Sequence, residues 1–214
     1  MTKDILCAGN DCTLILDPAT SVWTSTDNTS DNLVMWNDWS NQSYFMTFAI
    51  PIDLTRGAGA NQIPVGATIT QVQLKMNNWD HSFNDVNDYW DIWQYPGDTV
   101  NHPASGGHGN AAGYKDTSTS VGFDGAVLVA QSSFDDVWDF WNSPLTIDLS
   151  HINLTGPNTV FGSLDILING TGPGDYMTVY SSRYSGGLYC PRYIVTYTIP
   201  STTGASQTQL LMGK

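Results

Sequence analysis

The stretch that decides the fold is Tyr180-Ser-Ser-Arg-Tyr-Ser-Gly-Gly-Leu-Tyr-Cys-Pro-Arg-Tyr-Ile-Val-Thr-Tyr-Thr198. Its last part, Arg192 to Thr198, alternates polar and apolar residues of β-branched and aromatic types, which predicts a strand. A second strand is predicted from Tyr176 to Ser182, with Ser185-Gly186-Gly187 as the turn, because glycine takes the positive φ of tight hairpin turns. Since a lone hairpin cannot bury its apolar face, we expect this hairpin to close a two-sheet sandwich.

The partner of this hairpin is predicted at Ile63 to Asn77, which begins with a Pro/Gly turn and continues as an alternating strand. The two faces of that strand carry different side chains: Val72, Leu74 and Met76 on one, Gln71, Gln73 and Lys75 on the other. The run from Tyr44 to Pro51 is apolar at consecutive positions, so it is predicted to lie in the centre of a sheet.

One short helix is predicted from Ser132 to Trp141, because Ser132 or Ser133 can cap it and the aspartates of its first turn suit the positive end of the helix dipole. Thr20 to Asn32 and His102 to Thr119 are polar and are predicted as loops. We therefore expect an all-β protein, an antiparallel jelly-roll β-sandwich with one short helix and long loops. The expected regions are an N-terminal arm with the first strand at 1–20, the sandwich at 21–200 and a C-terminal tail at 201–214.

Three segments carry a resemblance to a known family: YFMTFAIPIDL at 44–54, IPVGATITQVQLKM at 63–76 and SSRYSGGLYCPRYIVTY at 181–197. They resemble the DNRLRE-type jelly-roll β-sandwich domains of bacterial surface proteins and phage structural proteins, over residues 44–199. The resemblance implies a jelly-roll fold and says little about activity, because one fold hosts many functions.

Charge and composition exclude several classes of partner. The 214 residues carry seven Lys and Arg against twenty Asp and Glu, a net charge of −13, whereas nucleic acids and anionic membranes attract cationic proteins. Only 13% of the residues are charged, and such uncharged polar surfaces are common in proteins that work outside the cytosol. No transmembrane run and no signal peptide are expected, so the chain is interpreted as a mature fragment or as a protein assembled in a host cytoplasm and released in a virion.

The three cysteines give an odd count. Cys7 and Cys12 are near enough in sequence to bridge, but so short a loop needs permissive geometry, and free thiols are the favoured interpretation. Cys190, which precedes Pro191, is expected to pack as a small apolar side chain. The sequence has no Gly-x-Ser-x-Gly motif and no other specific catalytic pattern, so we expect no enzyme and no catalytic residues.

Two binding sites are suggested by residue type. Carboxylates at Asp80, Asp85, Asp88 and Asp91 could supply the oxygen ligands of Ca²⁺, the one cofactor that the sequence suggests. A solvated turn in which aspartates bond their own backbone explains the same run. Trp39 and Trp79, flanked by polar turn residues, are candidates for stacking on glycans, although most tryptophans of a sandwich pack in its core.

The leading functional hypothesis is a non-catalytic structural protein of an extracellular particle, most concretely a bacteriophage capsid decoration (cement) or fibre protein. Its expected partners are other copies of the chain, in a homo-oligomer such as a trimer, and a capsid or surface-layer protein. The residues expected to dock on partners are Leu210, Leu211, Met212, Leu14 and Ile15. The alternative, favoured by the family resemblance, is a carbohydrate-binding or adhesion module of a cell-surface protein, located outside the cell or on its surface.

Overall fold

The computed structural model describes residues 1–7, 11–17, 22–26, 32–37, 45–82, 89–97, 114–117, 120–123, 126–133, 140–165 and 175–200. The strands in this part of the chain are β1 (Thr2–Leu6), β2 (Cys12–Asp17), β3 (Val22–Thr26), β4 (Asn32–Asn37), β5 (Phe45–Asp53), β6 (Thr68–Lys75), β7 (Asn78–Ser82), β8 (Tyr89–Tyr95), β9 (Tyr114–Thr117), β10 (Ser120–Phe123), β11 (Val127–Ser133), β12 (Leu145–Ile147), β13 (Pro157–Asp165), β14 (Asp175–Tyr180) and β15 (Arg192–Thr198). This part of the chain also has a short 3-10 turn at Leu149–His151 and a turn at Tyr184–Gly187 whose interior residues have non-helical φ and ψ.

The strands form an antiparallel sandwich with the connectivity of a jelly roll. The small sheet has the order β1-β15-β6-β12, and the body of the large sheet has the order β11-β8-β13-β5. Along the chain, these eight strands follow one another as β1, β5, β6, β8, β11, β12, β13 and β15. β1, β6, β12 and β15 belong to the small sheet and the other four to the large sheet, so hydrogen-bonded neighbours in each sheet are distant in sequence. This is the double Greek-key arrangement of eight strands, and the predicted fold class is confirmed.

Inserted strands enlarge one side of the large sheet. The β2–β4 segment lies between β1 and β5 in the chain, β7 follows β6, and β14 precedes β15. β4, β14 and β7 follow one another from the edge of β5 that also pairs with β13, while β2 pairs with the opposite edge of β5 and with β3. β5 therefore lies in the middle of the sheet, as its apolar sequence predicts, and Phe48, Ala49 and Ile50 are all buried.

The ladder between β1 and β15 defines two opposite ends of the sandwich. At the terminal end, the amino group of Met1 donates to the carbonyl of Tyr197 over 3.0 Å, and the amide of Tyr197 donates to the carbonyl of Met1 over 2.9 Å. At the crossover end, the amide of Cys7 donates to the carbonyl of Pro191 over 3.0 Å. The predicted N-terminal arm thus includes β1 and β2, which lie within the two sheets.

The outer edge of β1 is covered by the connection between β5 and β6. The ammonium of Lys3 donates to the carbonyls of Gly59 and Gln62, and the amide of Leu6 donates to Oδ1 of Asn61 over 2.7 Å. Asn61 in turn donates to the carbonyl of Leu6 over 3.1 Å. Exposed edge strands invite pairing with other chains, so these contacts protect the small sheet against edge-to-edge association.

Alternating strands supply the core between the sheets. In β6 the predicted inner face is confirmed, because Val72 and Leu74 are fully buried and Met76 is 2% exposed. β15 contributes Tyr193 and Val195, both fully buried, to the same layer. Each such side chain contributes roughly 1.5–3 kcal/mol through burial, which is why the alternation of these segments dictates their orientation.

The predicted closing hairpin is wrong. β14 pairs with β4 and β7 in the large sheet, whereas β15 pairs with β1 and β6 in the small sheet. The residues between them, 181–191, cross from one sheet to the other, and we call them the crossover segment. The prediction that Ser185-Gly186-Gly187 forms a tight turn is nevertheless confirmed. All three residues have positive φ, at 49°, 67° and 86°.

The predicted helix falls mostly outside the described residues. Ser132 and Ser133, its candidate caps, are the last residues of β11, and residues 134–139 are not described. The predicted loop from Thr20 to Asn32 contains β3, which pairs with β2.

Candidate functional site

An aromatic cluster lies at the crossover end, made of Trp141, Tyr180, Tyr184 and Tyr189. The rings of Tyr180 and Tyr184 stack with centroids 3.7 Å apart, and the rings of Tyr180 and Tyr189 stack at 5.1 Å. Trp141, from the turn before β12, meets Tyr189 at 5.1 Å with the ring planes inclined by 58°. The residues come from three places in the sequence, and the pairing of β12 with β6 brings Trp141 to the crossover segment.

Two cations lie over the indole of this aromatic cluster. Nζ of Lys75 is 4.3 Å from the centroid of the Trp141 ring, and the guanidinium carbon of Arg192 is 5.1 Å from it. Lys75 and Arg192 are directly opposite each other in the β6–β15 ladder. The negative face of the ring attracts both charges, which offsets the repulsion between two adjacent cations.

Arg192 is held in place by the backbone around it. Its Nε donates to the carbonyl of Cys190 over 2.9 Å, and its Nη2 donates to the carbonyl of Leu188 over 3.0 Å. Its Nη1 forms an ion pair with Oδ2 of Asp4 over 3.3 Å. The guanidinium therefore presents a fixed positive group beside the aromatic cluster, in a chain whose net charge is −13.

The cluster has a buried base and a partly open outer side. Tyr180 is 7% exposed, whereas Trp141, Tyr184 and Tyr189 are half-buried. Burial, together with the hydrogen bond to Tyr184, raises the pKa of Tyr180 to about 12. Tyr180 thus stays neutral at physiological pH, and the three half-buried rings offer apolar faces with polar edges to a ligand.

A buried carboxylate fixes the start of the crossover segment. Asp11 is fully buried, and its carboxylate accepts hydrogen bonds from the amide of Ser182, over 2.6 Å, and from the Ser182 hydroxyl. Charge-assisted bonds of this kind are about twice as strong as neutral ones. The contact joins Asp11, which directly precedes β2, to Ser182, which lies two residues after the end of β14.

Beside this contact lie two cysteines that the sequence did not pair. Sγ of Cys7 is 3.2 Å from Sγ of Cys190, and both side chains are buried. The hydrogen bond from Cys7 lowers the pKa of the Cys190 thiol, against the opposing effect of burial. Cys190 is part of the hydrophobic core, as predicted, and both Cys7 and Cys190 carry reduced thiols in the structure. The side chain of Cys12 lies outside the described residues.

The predicted calcium ligands are only partly within the described residues. Asp80 lies in β7 and Asp91 in β8, and the hydrogen-bonded path between these two strands runs through β13, β5, β4 and β14. Asp91 is 3% exposed. Asp85 and Asp88 lie outside the described residues, and among those described no group of three or more His, Cys, Asp or Glu side chains is arranged to hold a metal ion.

The other predicted site residues stay predictions. Trp79 lies in β7, but its side chain and all of Trp39 are outside the described part of the chain. Leu14 and Ile15 lie in β2, whose backbone pairs with β3 and β5, and their side chains are likewise not described. The docking residues of the tail also lie outside: Leu210, Leu211 and Met212.

Comparison with the models of known protein families gives no match, and no curated protein matches the chain in sequence. The resemblance to DNRLRE-type domains is therefore still carried by the three sequence segments alone. Within the residues that the structure covers, no helix has the length and apolar character to cross a membrane.

Proposed function

We propose that this chain is a non-catalytic structural protein of an extracellular particle, most concretely a bacteriophage capsid decoration or fibre protein that contacts neighbouring subunits through the terminal end of its sandwich. The observation that supports this is the exposure of large apolar side chains at that end. Val65 is 76% exposed, Met1 73% and Ile199 45%. Exposed apolar groups close to one another are typical of surfaces that other proteins cover.

The register of the small sheet places these side chains at the same end. Met1 is opposite Tyr197, and Ile199 follows Thr198, which pairs with Thr68 at the start of β6. Val65 lies in the turn that leads into β6. That turn is closed by a hydrogen bond of 3.2 Å from the amide of Ala67 to the carbonyl of Pro64, and Gly66 within it has a φ of 80°. Val65 is thus presented on a backbone of fixed shape.

The predicted docking residues of the tail also depend on this end. The segment 201–214 follows Pro200 directly, and an extended chain spans at most about 3.3–3.6 Å per residue. In this proposal Leu210, Leu211 and Met212 contact partners near the terminal end. Jelly rolls occur in viral capsid proteins and in lectins, so the fold agrees with this function and with the alternative below.

The test is the mass of the assembly in solution, measured by light scattering, together with attachment to the particle. Val65→Asp and deletion of 202–214 are expected to lower the mass and abolish attachment, while the far-ultraviolet circular dichroism stays unchanged. Leu188→Asp is the matched control, because Leu188 is 60% exposed at the opposite, crossover end. A monomeric wild-type protein, or truncated protein that still attaches, would contradict the proposal.

The second candidate is a carbohydrate-binding or adhesion module, and the aromatic cluster is the observation that favours it. Half-buried rings at Trp141, Tyr184 and Tyr189 can stack on the apolar faces of a sugar, and Arg192 can donate to its hydroxyl groups. Aromatic platforms with cations also bind single-stranded nucleic acids, but a net charge of −13 opposes phosphate binding.

The glycan function is tested on a glycan array with Trp141→Ala and Tyr184→Ala, each checked for retained fold. Both variants are expected to lose binding, while Tyr95→Ala, which changes a half-buried ring on β8, is expected to keep it. Trp39→Ala and Trp79→Ala test the sites predicted from sequence in the same assay. Unchanged binding in the Trp141 and Tyr184 variants would remove this cluster as the site.

A further inference from the structure

We propose that Cys7 and Cys190 form an intramolecular disulfide when the protein meets a thiol-oxidising environment, and that this bond fastens the end of β1 to the crossover segment. The two sulfur atoms are 3.2 Å apart. Cys7 is 7% exposed and Cys190 is 3% exposed, so the pair is enclosed within the protein. The inference does not depend on the proposed function.

Both cysteines are held by backbone hydrogen bonds next to the β1–β15 ladder. Leu6 pairs with Arg192, and the amide of Cys7 continues this register by donating to the carbonyl of Pro191 over 3.0 Å. The amide of Cys190 donates to the carbonyl of Gly187 over 3.1 Å. Because a disulfide is about 2.05 Å long, the sulfurs need to approach by only about 1 Å.

The oxidant is a low-molecular-weight disulfide, for which oxidised glutathione is the probe. One of the two protein thiolates attacks one sulfur of glutathione disulfide and expels one glutathione thiolate, giving a mixed disulfide. The other protein thiolate then attacks the protein sulfur of this mixed disulfide, forms the protein disulfide and expels the second glutathione. The two protein thiols lose two electrons and two protons, and the glutathione disulfide gains both to become two thiols.

The pairing has a physical consequence for stability. Cys7 and Cys190 are 183 positions apart in the sequence, so the bond closes most of the chain into one loop. Disulfides stabilise mainly by restricting the unfolded chain, and more so for longer loops. The reduced protein is thus the less stable form, and the oxidised protein is the more stable form.

The bond is identified by mass spectrometry of wild-type protein equilibrated with oxidised or with reduced glutathione. Trypsin alone leaves Cys7 and Cys12 in one fragment, whereas additional cleavage before Asp11 separates them. Digestion with both proteases should give the fragment 4–10 linked to the fragment 184–192 in the oxidised sample only. A link that involves Cys12, or free thiols at both Cys7 and Cys190 after oxidation, would overturn the proposal.

The stability effect is measured as the difference in Tm between the oxidised and the reduced wild-type protein. Oxidation is expected to raise the Tm by about 10 °C, a shift that Cys12→Ser should keep. Cys190→Ala and Cys7→Ala should abolish the shift even where they lower the Tm of the reduced form, because the comparison is made within each variant. Equal Tm values for the oxidised and reduced wild-type protein would overturn the stabilising role.

Discussion

Tyr193 and Gln94 join the two sheets of the sandwich through a buried hydrogen bond. The phenol of Tyr193, in the small sheet, donates to Oε1 of Gln94, in the large sheet, over 2.6 Å, and both residues are fully buried. Nε2 of Gln94 donates onward to the carbonyl of Tyr95 and to Oδ1 of Asn158. Asn158 also accepts a hydrogen bond of 2.8 Å from the amide of Asn153, so one polar network extends from the core to the loop before β13.

Tyr193→Phe is expected to lower the free energy of unfolding by about 1–3 kcal/mol, because it leaves Oε1 of Gln94 buried without its donor. The measurement is urea denaturation followed by circular dichroism. A double-mutant cycle with Gln94→Met separates the hydrogen bond from the other effects of each change. Additive effects of the two substitutions would show that the bond contributes nothing.

Ser182→Ala is expected to destabilise the protein by about 0.5–2 kcal/mol, since it removes the hydroxyl donor of the Asp11 carboxylate and leaves the amide donor. Asp11→Asn should lower the free energy of unfolding further. Both hydrogen bonds lose the negative charge of the acceptor, and the new side-chain NH₂ group, itself a donor, replaces one of the two acceptor oxygens. Chemical denaturation measures both. Ser150→Ala is the control, since its hydroxyl bonds Asp148 at an exposed site. An equal effect of Ser150→Ala would contradict the special role of Asp11.

The sequence predicted what local alternation determines. The inner face of β6 followed from alternating Val72, Leu74 and Met76, and the central place of β5 from its continuous apolar run. The pairing of β14 did not follow, because a Ser-Gly-Gly turn suits a hairpin and a crossover equally well. The chain forms a crossover here because β14 pairs with β4 and β7, two strands that are distant from it in the sequence.

The residues of the candidate site were harder to predict from the sequence than the strands were. Trp141 belongs to a segment that was predicted as a helix, and it meets Tyr189 only because β12 pairs with β6. The Cys7–Cys190 contact likewise depends on the long-range pairing of β1 with β15. β3 was missed because Val22 to Thr26 is rich in Ser and Thr, although Thr is β-branched and suits strands.

Gly187→Ala is expected to destabilise the protein by about 1–2 kcal/mol, because Gly187 has a φ of 86° that an L-residue with a Cβ adopts only under strain. Ser185→Asn, at a φ of 49°, is the matched variant and should be neutral or slightly stabilising, since asparagine tolerates this conformation. The measurement is the Tm of each variant compared with that of the wild-type protein. A neutral Gly187→Ala would mean that the turn relaxes to a negative φ.

Calcium binding is tested by the Tm of the protein with and without a chelator. If the predicted site binds Ca²⁺, added Ca²⁺ should raise the Tm and the chelator should reverse the shift, because a ligand of the native state stabilises it. Asp85→Asn and Asp88→Asn should abolish the shift. Asp91 is less suitable for substitution, since it is buried and its loss would disturb β8 directly. A Tm that is indifferent to Ca²⁺ and chelator would exclude the site.

Tyr180 should make stability depend on alkaline pH. Its pKa is raised from 10.0 to about 12, mainly by burial and further by Tyr184, so the folded state resists ionisation and the unfolded state does not. The contribution is fully present below pH 10.0 and declines as the pH rises toward about 12, where the folded protein also ionises.

Urea midpoints measured at about pH 9 and about pH 11 should therefore fall more for the wild-type protein than for Tyr180→Phe. Burial also raises the pKa of Tyr193, which adds a decline of the same sign to both proteins and cancels in the comparison. Equal declines in the two proteins would show that Tyr180 ionises as easily when folded as when unfolded. In that case the base of the aromatic cluster would be open to water, and the buried stacking of Tyr180 with Tyr184 would not persist in solution.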